Sequence, residues 1–272
     1  VECSSRVAAG SAVAVPWDDA EAEARKPSFS GPGAPSPSIE IIYADNDVCL
    51  INKPWNLLSQ PDRDGGESVI SRTTATLGWK DPSFFPTPVH RLDRNTSGAM
   101  ALALNGVALR VLHEAWRKGN VLKTYLALVV GEAPNELEID SPLLKTGEDN
   151  IVGIDAARGR TALTRFRKVT GDSVVSLLQV ELLTGRPHQA RVHLASIGHP
   201  LVGDIKYGDR KVNAEWRLLG VHRPMLHSRS LEFRDLSAPL GHLSGKKFLA
   251  LPPPDFMGIL SSRGWRLYNR GV

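Results

Sequence analysis

Short apolar runs separated by turn residues dominate the chain after Ser38. Several runs alternate polar and apolar residues with a period of two, the pattern of a strand with one buried face. We predict seven strands on this basis, at residues 39–43, 48–51, 99–104, 121–130, 162–166, 174–183 and 226–233. The folded part of the chain is therefore expected to be rich in β-structure.

Two segments carry helical signals instead. In residues 107–118 the apolar side chains form one broad stripe, and Asn105 is placed to cap the first turn. A second helix is predicted to begin at Pro187, a residue favoured in a first helical turn, and to end near Ile197 before Gly198. Because strands and helices do not alternate strictly, the pattern favours an α+β fold over a doubly wound parallel sheet.

Residues 1–38 differ in composition from the rest of the chain. Ala, Ser, Pro and Gly occupy 23 of these 38 positions, and few large apolar side chains are available for a core. We expect a disordered segment here and one folded domain over residues 39–272. The remnant of an organelle transit peptide is an alternative, although such peptides are poor in acidic residues and this segment contains five.

The charge balance of the 272-residue chain is mildly basic, with 33 basic and 29 acidic residues and a net charge of +4. Residues 1–38 carry a net charge of −2, which leaves +6 on the remainder and suits an anionic partner. The two cysteines, Cys3 and Cys49, match neither a disulfide framework nor a zinc site and favour a reducing, intracellular compartment. No apolar run reaches the 18 residues of a membrane span, so no membrane association is expected.

One polar cluster lies at residues 90–98, directly before a predicted buried strand. It brings His90, Arg91, Asp93 and Arg94 together on a loop, and loops held by a rigid scaffold commonly carry function. A capped turn with a surface ion pair explains the same residues equally well.

A second polar cluster lies at residues 185–193. If a helix begins at Pro187, His188 and Arg191 share one face, and the free N–H groups of the first turn form an anion site. A solvated basic face is the alternative. The histidine spacing in and around this cluster does not fit zinc, so no metal is expected.

Two weaker clusters complete the set of polar candidates. Lys123, Tyr125 and Ala127 share one face of a predicted strand, although a tyrosine in a strand more often packs in a core. The segments 52–54 and 203–208 each have the composition of a turn.

The order of these motifs resembles that of the RluA-type family of RNA pseudouridine synthases over residues 39–260. The matching motifs are HRLDxxTSG at 90–98, KxYLA at 123–127, TGRPHQxRVHL at 184–194, GHPxVGDxxYG at 198–208 and LHxxxLxF at 226–233. The chain departs from the family pattern after Pro54, where Trp55 and Asn56 replace a small residue and glycine. The frequent N-terminal S4 RNA-binding domain of the family is not expected, because residues 1–38 are too short and too polar.

The resemblance implies a fold and a reaction. The fold is a mixed, mostly antiparallel sheet flanked by helices, with a central RNA-binding cleft. The reaction is isomerisation of a uridine in rRNA or tRNA, in which the base leaves the helical stack and is rejoined to the sugar through C5. Asp93 is the expected catalytic group, as a nucleophile or as a base, with Arg191 as its partner cation and Tyr125 stacked on the uracil. No cofactor is expected.

The same resemblance implies a set of RNA contacts. Arg91, with His90 beside it, is expected at the gap left by the flipped nucleotide, and His188 and Gln189 are expected to support the site. From the basic charge of residues 39–272 we also predict phosphate contacts by Lys53, Arg94, Arg186, Lys206 and some of Arg158, Arg160, Arg165 and Arg167.

Three further expectations follow from these predictions. The protein is expected to act as a monomer, in the cytoplasm or, if residues 1–38 derive from a transit peptide, in a plastid or mitochondrion. A catalytically silent RNA-binding protein on the same scaffold is an alternative, and a metal-free hydrolase that uses Asp93 and a histidine is another. The complete set of Asp93, Tyr125 and Arg191 favours the isomerase.

Overall fold

The computed structural model describes residues 38–62, 65–146 and 151–267. The predicted disordered segment, apart from Ser38, lies outside these residues. The strands are β1 (Glu40–Ala44), β2 (Val48–Lys53), β3 (Thr87–Pro88), β4 (Ser97–Ala103), β5 (Val121–Val130), β6 (Glu136–Asp140), β7 (Leu143–Thr146), β8 (Ile151–Ile154), β9 (Leu163–Gly171), β10 (Val175–Leu182), β11 (Leu226–Phe233) and β12 (Lys247–Leu249).

The helices lie around this β-structure. They are α1 (Val69–Leu77), α2 (Gly106–Lys118), α3 (Gln189–Ser196), α4 (Arg210–Leu218) and α5 (Pro254–Ser262), with a short 3-10 helix at Leu240–Leu243. The predicted cap of α2 is confirmed, because the Asn105 side chain accepts a hydrogen bond from the Ala108 N–H at 2.9 Å.

The start of α3 differs from its prediction. His188 has φ 53° and ψ 16°, a left-handed conformation that cannot continue a right-handed helix. The helix therefore begins at Gln189 and not at Pro187, with His188 as its N-cap. The predicted start of this helix is therefore wrong by two residues.

One large mixed sheet forms the centre of the described structure. Its strands lie in the order β1-β2-β4-β11-β5-β10-β9-β6, with β3 paired to β4 and β12 paired to β11, while β7 and β8 form a separate hairpin. Among the described strand pairs of this sheet, β4 and β11 are parallel and the others are antiparallel. The predicted α+β class with a mostly antiparallel sheet is confirmed.

The parallel pair depends on a glycine. Gly98 of β4 lies opposite Ser228 of β11 and has φ +117°. A Cβ atom at this position would lie 2.2 Å from the Ser228 carbonyl oxygen, far inside van der Waals contact. The backbones of the two central strands can approach this closely because residue 98 has no side chain.

Strand β4 is buried along its whole length and on both faces. Met100 and Leu102 belong to one hydrophobic cluster, whereas Ala99 and Ala101 belong to another that includes Leu112 of α2. The loop that precedes β4 is therefore attached to a close-packed central strand, which is a rigid support for functional side chains.

The seven predicted strands are all present, with ends that shift by a few residues. The structure adds β3, β6, β7, β8 and β12, as well as α1, α4 and α5. None of the described helices is both long and apolar enough to cross a membrane. Cys49 is buried and forms no disulfide.

Candidate active site

An open cleft of about 550 Å³ lies where the loop before β4, strand β5 and the start of α3 meet. Its walls include Asp93, Tyr125 and Arg191. The three residues expected to carry the chemistry come from segments far apart in sequence, and the fold brings them to one cavity.

Asp93 and Arg191 form an ion pair at the cleft. The Asp93 side chain is 32% exposed, and its Oδ2 accepts a hydrogen bond from Arg191 Nη1 at 3.0 Å. The Arg191 side chain is only 11% exposed. The guanidinium is thus held within the protein wall, while the carboxylate that it orients faces the cavity.

Asp204 holds the other side of the same guanidinium. Arg191 donates from Nε to Asp204 Oδ2 at 2.8 Å and from Nη2 to Oδ1 at 2.9 Å, a bidentate pair with a fully buried carboxylate. Burial opposes the charge of Arg191, but hydrogen bonds to Asp204 and the charges of Asp204 and Asp93 raise its pKa overall. Arg191 therefore remains a cation in a geometry fixed from behind.

Asp204 belongs to the GHPxVGDxxYG motif at 198–208, but no role is predicted for it from the sequence. Its Oδ1 also accepts the backbone N–H groups of Lys206 at 3.0 Å and Tyr207 at 3.3 Å, and its carbonyl accepts from the Asn213 side chain of α4. The acidic residue of the GDxxYG segment was the available signal, but composition alone gave the segment only as a turn.

His188 also lies close to the Asp93 carboxylate. Its Nε2 is 3.9 Å from Asp93 Oδ2, and its Nδ1 is 2.7 Å from the hydroxyl of Tyr207. That hydroxyl also accepts the Val152 N–H at 3.0 Å, and the Arg191 guanidinium lies 5.0 Å from the Tyr207 ring centroid. Burial lowers the pKa of His188, with the Asp93 charge opposing this effect, so the ring is mostly neutral at pH 7.

Tyr125 lies in β5 on the cleft wall and is 6% exposed. Burial raises its pKa to about 12, with an opposing contribution from the Ser228 side chain, which lies opposite Tyr125 in β11. The phenol therefore remains protonated at neutral pH. One side of this residue is fixed in the sheet while it also borders the cavity beside Asp93.

The family model for RNA pseudouridylate synthase matches residues 47–196, more than half of the chain. The chain belongs to this family. Asp93, Tyr125 and Arg191 all lie in the matched region, whereas Asp204 lies just beyond it.

Curated relatives agree with the family match. The chain is 34% identical over 211 residues to ribosomal large subunit pseudouridine synthase C of Vibrio vulnificus, covering 74% of this chain and 65% of the relative. It is 34% identical over 174 residues to an uncharacterized RNA pseudouridine synthase of Bacillus subtilis, covering 62% of this chain and 58% of the relative. The matched segments therefore span less than two thirds of these relatives.

Solved structures show the same fold. Human RNA Pseudouridylate Synthase Domain Containing 4 superposes with a TM-score of 0.68 at 22% identity, covering 85% of this chain and 95% of the other. Human RNA Pseudouridylate Synthase Domain Containing 1 gives 0.60 at 25% identity, covering 86% and 97%. The predicted pseudouridine synthase fold is confirmed.

Lys53 does not have the role predicted for it. It is fully buried, and its ammonium donates to the carbonyl oxygens of Pro54 at 3.0 Å, Arg94 at 3.1 Å and Thr96 at 2.9 Å. Burial lowers its pKa to about 7, although the charge of Asp93 opposes this shift. The prediction of a phosphate contact is wrong, because all three N–H groups of the ammonium are used within the protein. Lys53 instead stabilises the segment after Asp93 through the carbonyls of Arg94 and Thr96.

The buried side chain of Gln189 likewise makes hydrogen bonds within the protein and is not a surface contact. It is 2% exposed, and its amide nitrogen donates to the Leu163 carbonyl at 2.9 Å and to Thr164 Oγ1 at 3.0 Å. Its amide oxygen accepts from Thr184 Oγ1 at 2.7 Å and from the Arg186 N–H at 3.0 Å. Direct RNA contact by Gln189 is therefore excluded by its burial, while its expected supporting role agrees with the geometry.

His90 lies in the cleft wall, where its ring contacts other protein groups. Its Nε2 accepts the Ala101 N–H at 3.1 Å, and its ring stacks on Trp116 with centroids 4.8 Å apart. Burial, with a contribution from the charge of Lys123, lowers the pKa of His90 to about 3. The ring is therefore neutral and positions the start of the loop that carries Asp93.

The exposed arginines around the cleft fall into two groups. Arg91 is exposed at the cavity and makes no hydrogen bond or ion pair with any residue that the structure describes. Arg94 is exposed and donates to Asn56 Oδ1 at 3.0 Å, and half-buried Arg186 donates to the Thr161 carbonyl at 2.9 Å. Arg91 is thus available for a ligand, while the other two are partly fixed.

The other predicted phosphate contacts are spread over the molecule. Arg158 pairs with Asp155 at 3.1 Å and Arg165 with Glu138 at 2.7 Å. Arg165 and Arg167 line a separate cavity on β6, β9 and β10 and not the cleft that contains Asp93. Arg160 and Lys206 are exposed. Arg158 and Arg165 are thus paired with carboxylates, whereas the charge of Lys206 adds to the burial that lowers the pKa of His188 beside Asp93.

Arg223 supports the loop that carries Asp93, and no motif in the sequence predicts this role. It is 1% exposed and donates to Asp255 of α5 from Nε at 2.7 Å and from Nη2 at 3.0 Å. Its Nη1 donates to the Asn95 carbonyl at 3.3 Å. Arg223 therefore connects the loop after Asp93 to the last helix described, a contact that no local motif could indicate.

Proposed function

We propose that this protein isomerises a uridine within RNA to pseudouridine at the cleft that contains Asp93. The observation that carries the proposal is the carboxylate itself. Asp93 is exposed to the cavity, hydrogen-bonded to Arg191 at 3.0 Å, and placed beside Tyr125 in a cleft of about 550 Å³. A cavity of this size is in the usual range for a small-molecule ligand, which suits a nucleoside turned out of its helix.

The proposed reaction is balanced without an external reactant. The bond from N1 of uracil to C1′ of the ribose breaks, the base turns, and a bond from C5 to C1′ forms. A proton then leaves C5, and N1 is protonated. Asp93 acts either as a nucleophile at C1′ or as a base that helps the glycosidic bond to break, and both routes need a carboxylate oriented by Arg191.

Tyr125 and Arg91 support the flipped state in this proposal. The Tyr125 ring provides a surface on which the uracil stacks, an interaction worth about 1 to 3 kcal/mol per base. Removing a base from a helix costs a few kcal/mol. Arg91, which is exposed at the cavity, takes the place of the base in the helix, because a guanidinium can both stack and bind phosphate.

The substrate in this proposal is ribosomal RNA, with transfer RNA as the second choice. Relatives named as ribosomal large subunit pseudouridine synthases support that order. One chain is the proposed active unit, since Asp93, Tyr125 and Arg191 all come from the same chain.

The test is an Asp93→Asn substitution assayed on RNA labelled with tritium at C5 of uridine. The wild type should release tritium from unmodified large-subunit rRNA or tRNA, because the C5 proton leaves in the reaction. Asp93→Asn should lose at least about 10³-fold in rate and keep its RNA affinity. Asp81→Asn, at an exposed loop position outside the cleft, should keep the wild-type rate.

Two results would overturn this function. Tritium release by purified Asp93→Asn at a rate near that of the wild type would remove the carboxylate from the chemistry. RNA binding by the wild type without tritium release from either RNA would leave an RNA-binding protein on the same scaffold.

A further inference from the structure

A second cavity, of about 590 Å³, opens beside the catalytic cleft. It is lined by residues 116–119, 121–123 and 181–186, and we call it the side trough. The trough and the cleft share Trp116, Lys123, Leu182 and residues 184–186 as walls. The two cavities are therefore adjacent and share one wall.

The side trough is basic. Its lining contains the cations Arg117, Lys118, Lys123 and Arg186 and one acidic residue, Glu181. Lys118 pairs with Glu114 at 2.8 Å, but both side chains are well exposed, so this ion pair is weak and easily exchanged. The charge of the trough suits a polyanion that continues out of the catalytic cleft.

Lys123 lies at the junction of the two cavities. It is two residues from Tyr125 in β5, so both side chains leave the strand on the same face. The side chain is half-buried and makes no hydrogen bond or ion pair with any residue described in the structure. Burial lowers its pKa.

A half-buried ammonium without an anion is energetically unfavourable. It has lost part of its hydration and has gained no protein carboxylate in exchange. An incoming phosphate would supply the missing charge and hydrogen-bond acceptors. The position of Lys123, beside the ring that borders the cleft, places that phosphate next to the nucleotide held by Asp93 and Tyr125.

We propose that the side trough binds the phosphodiester backbone of the RNA strand on one side of the target uridine, with Lys123 contacting a phosphate adjacent to the flipped nucleotide. This inference rests on the proposed function, because the flipped base must occupy the cleft. The trough also offers apolar surface from Leu122, Leu182 and Leu183, which suits the ribose and base of an unpaired nucleotide.

The first test measures RNA affinity against salt. Fluorescence anisotropy of a labelled stem-loop RNA is recorded over a KCl series, with every protein carrying Asp93→Asn so that the RNA stays unmodified. Lys123→Gln should weaken binding about tenfold and reduce the slope of log affinity against log salt by about 0.7 to 0.9, the effect of one lost phosphate contact.

Two matched variants accompany that measurement. Lys123→Arg keeps the charge and should restore both the affinity and the slope. Lys211→Gln removes an exposed lysine of α4 that lines neither cavity, and it should change neither quantity. An unchanged slope and affinity in Lys123→Gln would overturn the proposal, as would equal losses in Lys123→Gln and Lys123→Arg.

The second test locates the strand. Two shortened RNAs lack the nucleotides on the 5′ side or on the 3′ side of the target uridine. With one of them the difference in salt slope between the parent protein and its Lys123→Gln form should disappear, and with the other it should persist. Persistence with both RNAs would show that Lys123 does not bind a flanking strand.

The tritium assay keeps the two proposals distinguishable. If the wild type releases tritium but Lys123→Gln keeps the parental salt slope, the side trough fails and the isomerase stands. If the wild type releases none while Lys123→Gln still weakens RNA binding, the isomerase fails on its own evidence. In an active enzyme Lys123→Gln should raise KM more than it lowers kcat, as expected for a contact kept through the reaction.

Discussion

At the scale of single residues, the site depends on one guanidinium shared by two carboxylates. Arg191 gives two hydrogen bonds to Asp204, which is fully buried, and one to Asp93, which faces the cleft. Asp204 fixes the orientation of the Arg191 guanidinium, and the Asp93 carboxylate remains accessible from the cleft. Asp204 is therefore a positioning residue that acts through Arg191.

Asp204→Asn tests that role. An asparagine has only one acceptor oxygen, and its NH2 group faces an Arg191 N–H, so the guanidinium should turn away from Asp93. Misplacement of a reacting group by about 1 Å costs about 10²-fold in rate, and we expect a loss of that size in single-turnover tritium release with RNA affinity kept. Asp209→Asn, at the exposed cap of α4, is the control and should react normally. A folded Asp204→Asn protein with the wild-type rate would contradict this assignment.

Residue type alone could not predict the roles of Lys53 and Gln189. Lys53 is a basic residue in a basic protein, but the carbonyls of Arg94 and Thr96 that enclose it are 41 and 43 positions away in sequence. Asp93, by contrast, was predictable because its motif and the loop that carries it are local. The sequence thus indicates which residues form the site more readily than which of them touch solvent.

At the scale of secondary-structure elements, the close contact between β4 and β11 sets the relative position of the Asp93 loop and Tyr125. The pairing of Gly98 with Ser228 joins the strand that follows the Asp93 loop to β11, in which Ser228 also lies opposite Tyr125 of β5. A shift of either strand would change the distance between the carboxylate and the ring.

Gly98→Ala should separate these strands. The new methyl group would overlap the Ser228 carbonyl and the φ of +117° would be strained, so we expect a loss of about 3 kcal/mol or more in unfolding free energy. Tritium release should fall in the protein that remains folded. Gly106→Ala, at the first position of α2 with open space around it, should be neutral or slightly stabilising in the same urea titration. Equal stability of the two variants would mean that the close approach is not required.

The elements missed from the sequence share physical causes. Strand β6 is exposed at four of its five positions and therefore shows no clear apolar alternation. Helix α1 is rich in Thr and other β-branched residues, which are poor helix formers, and it is stabilised by its Ser68 cap. The positive φ of His188 was likewise not predictable, since few non-glycine residues have φ > 0 and most histidines do not.

At the scale of the whole molecule, buried neutral histidines predict a stability that depends on pH. Burial lowers the pKa of His90 to about 3 and that of His227 to about 4, whereas unfolded histidine titrates near 6.5. Below pH 6.5 the unfolded chain therefore binds protons that the native protein does not. Stability should fall as the pH falls from 6 to 4.5, by up to about 1.4 kcal/mol per pH unit for each histidine.

Urea titrations at pH 6.0, 5.2 and 4.5 measure this effect. His90→Gln retains an acceptor for the Ala101 N–H. It should reduce the dependence of the unfolding free energy on pH by the contribution of one histidine. His113→Gln, at an exposed position of α2, should leave the dependence as it is. A stability that stays level or rises between pH 6.0 and 4.5 would show that these rings do take up protons in the native state.

The Arg223–Asp255 pair also has a consequence for how the protein is made. The carbonyl of Asn95, two positions after Asp93, is held by a guanidinium whose own counterion lies in α5. During translation the loop is complete long before Asp255 leaves the ribosome. The nascent chain therefore carries the Asp93 loop without the Arg223–Asp255 pair behind it until nearly all of the described chain has been synthesised.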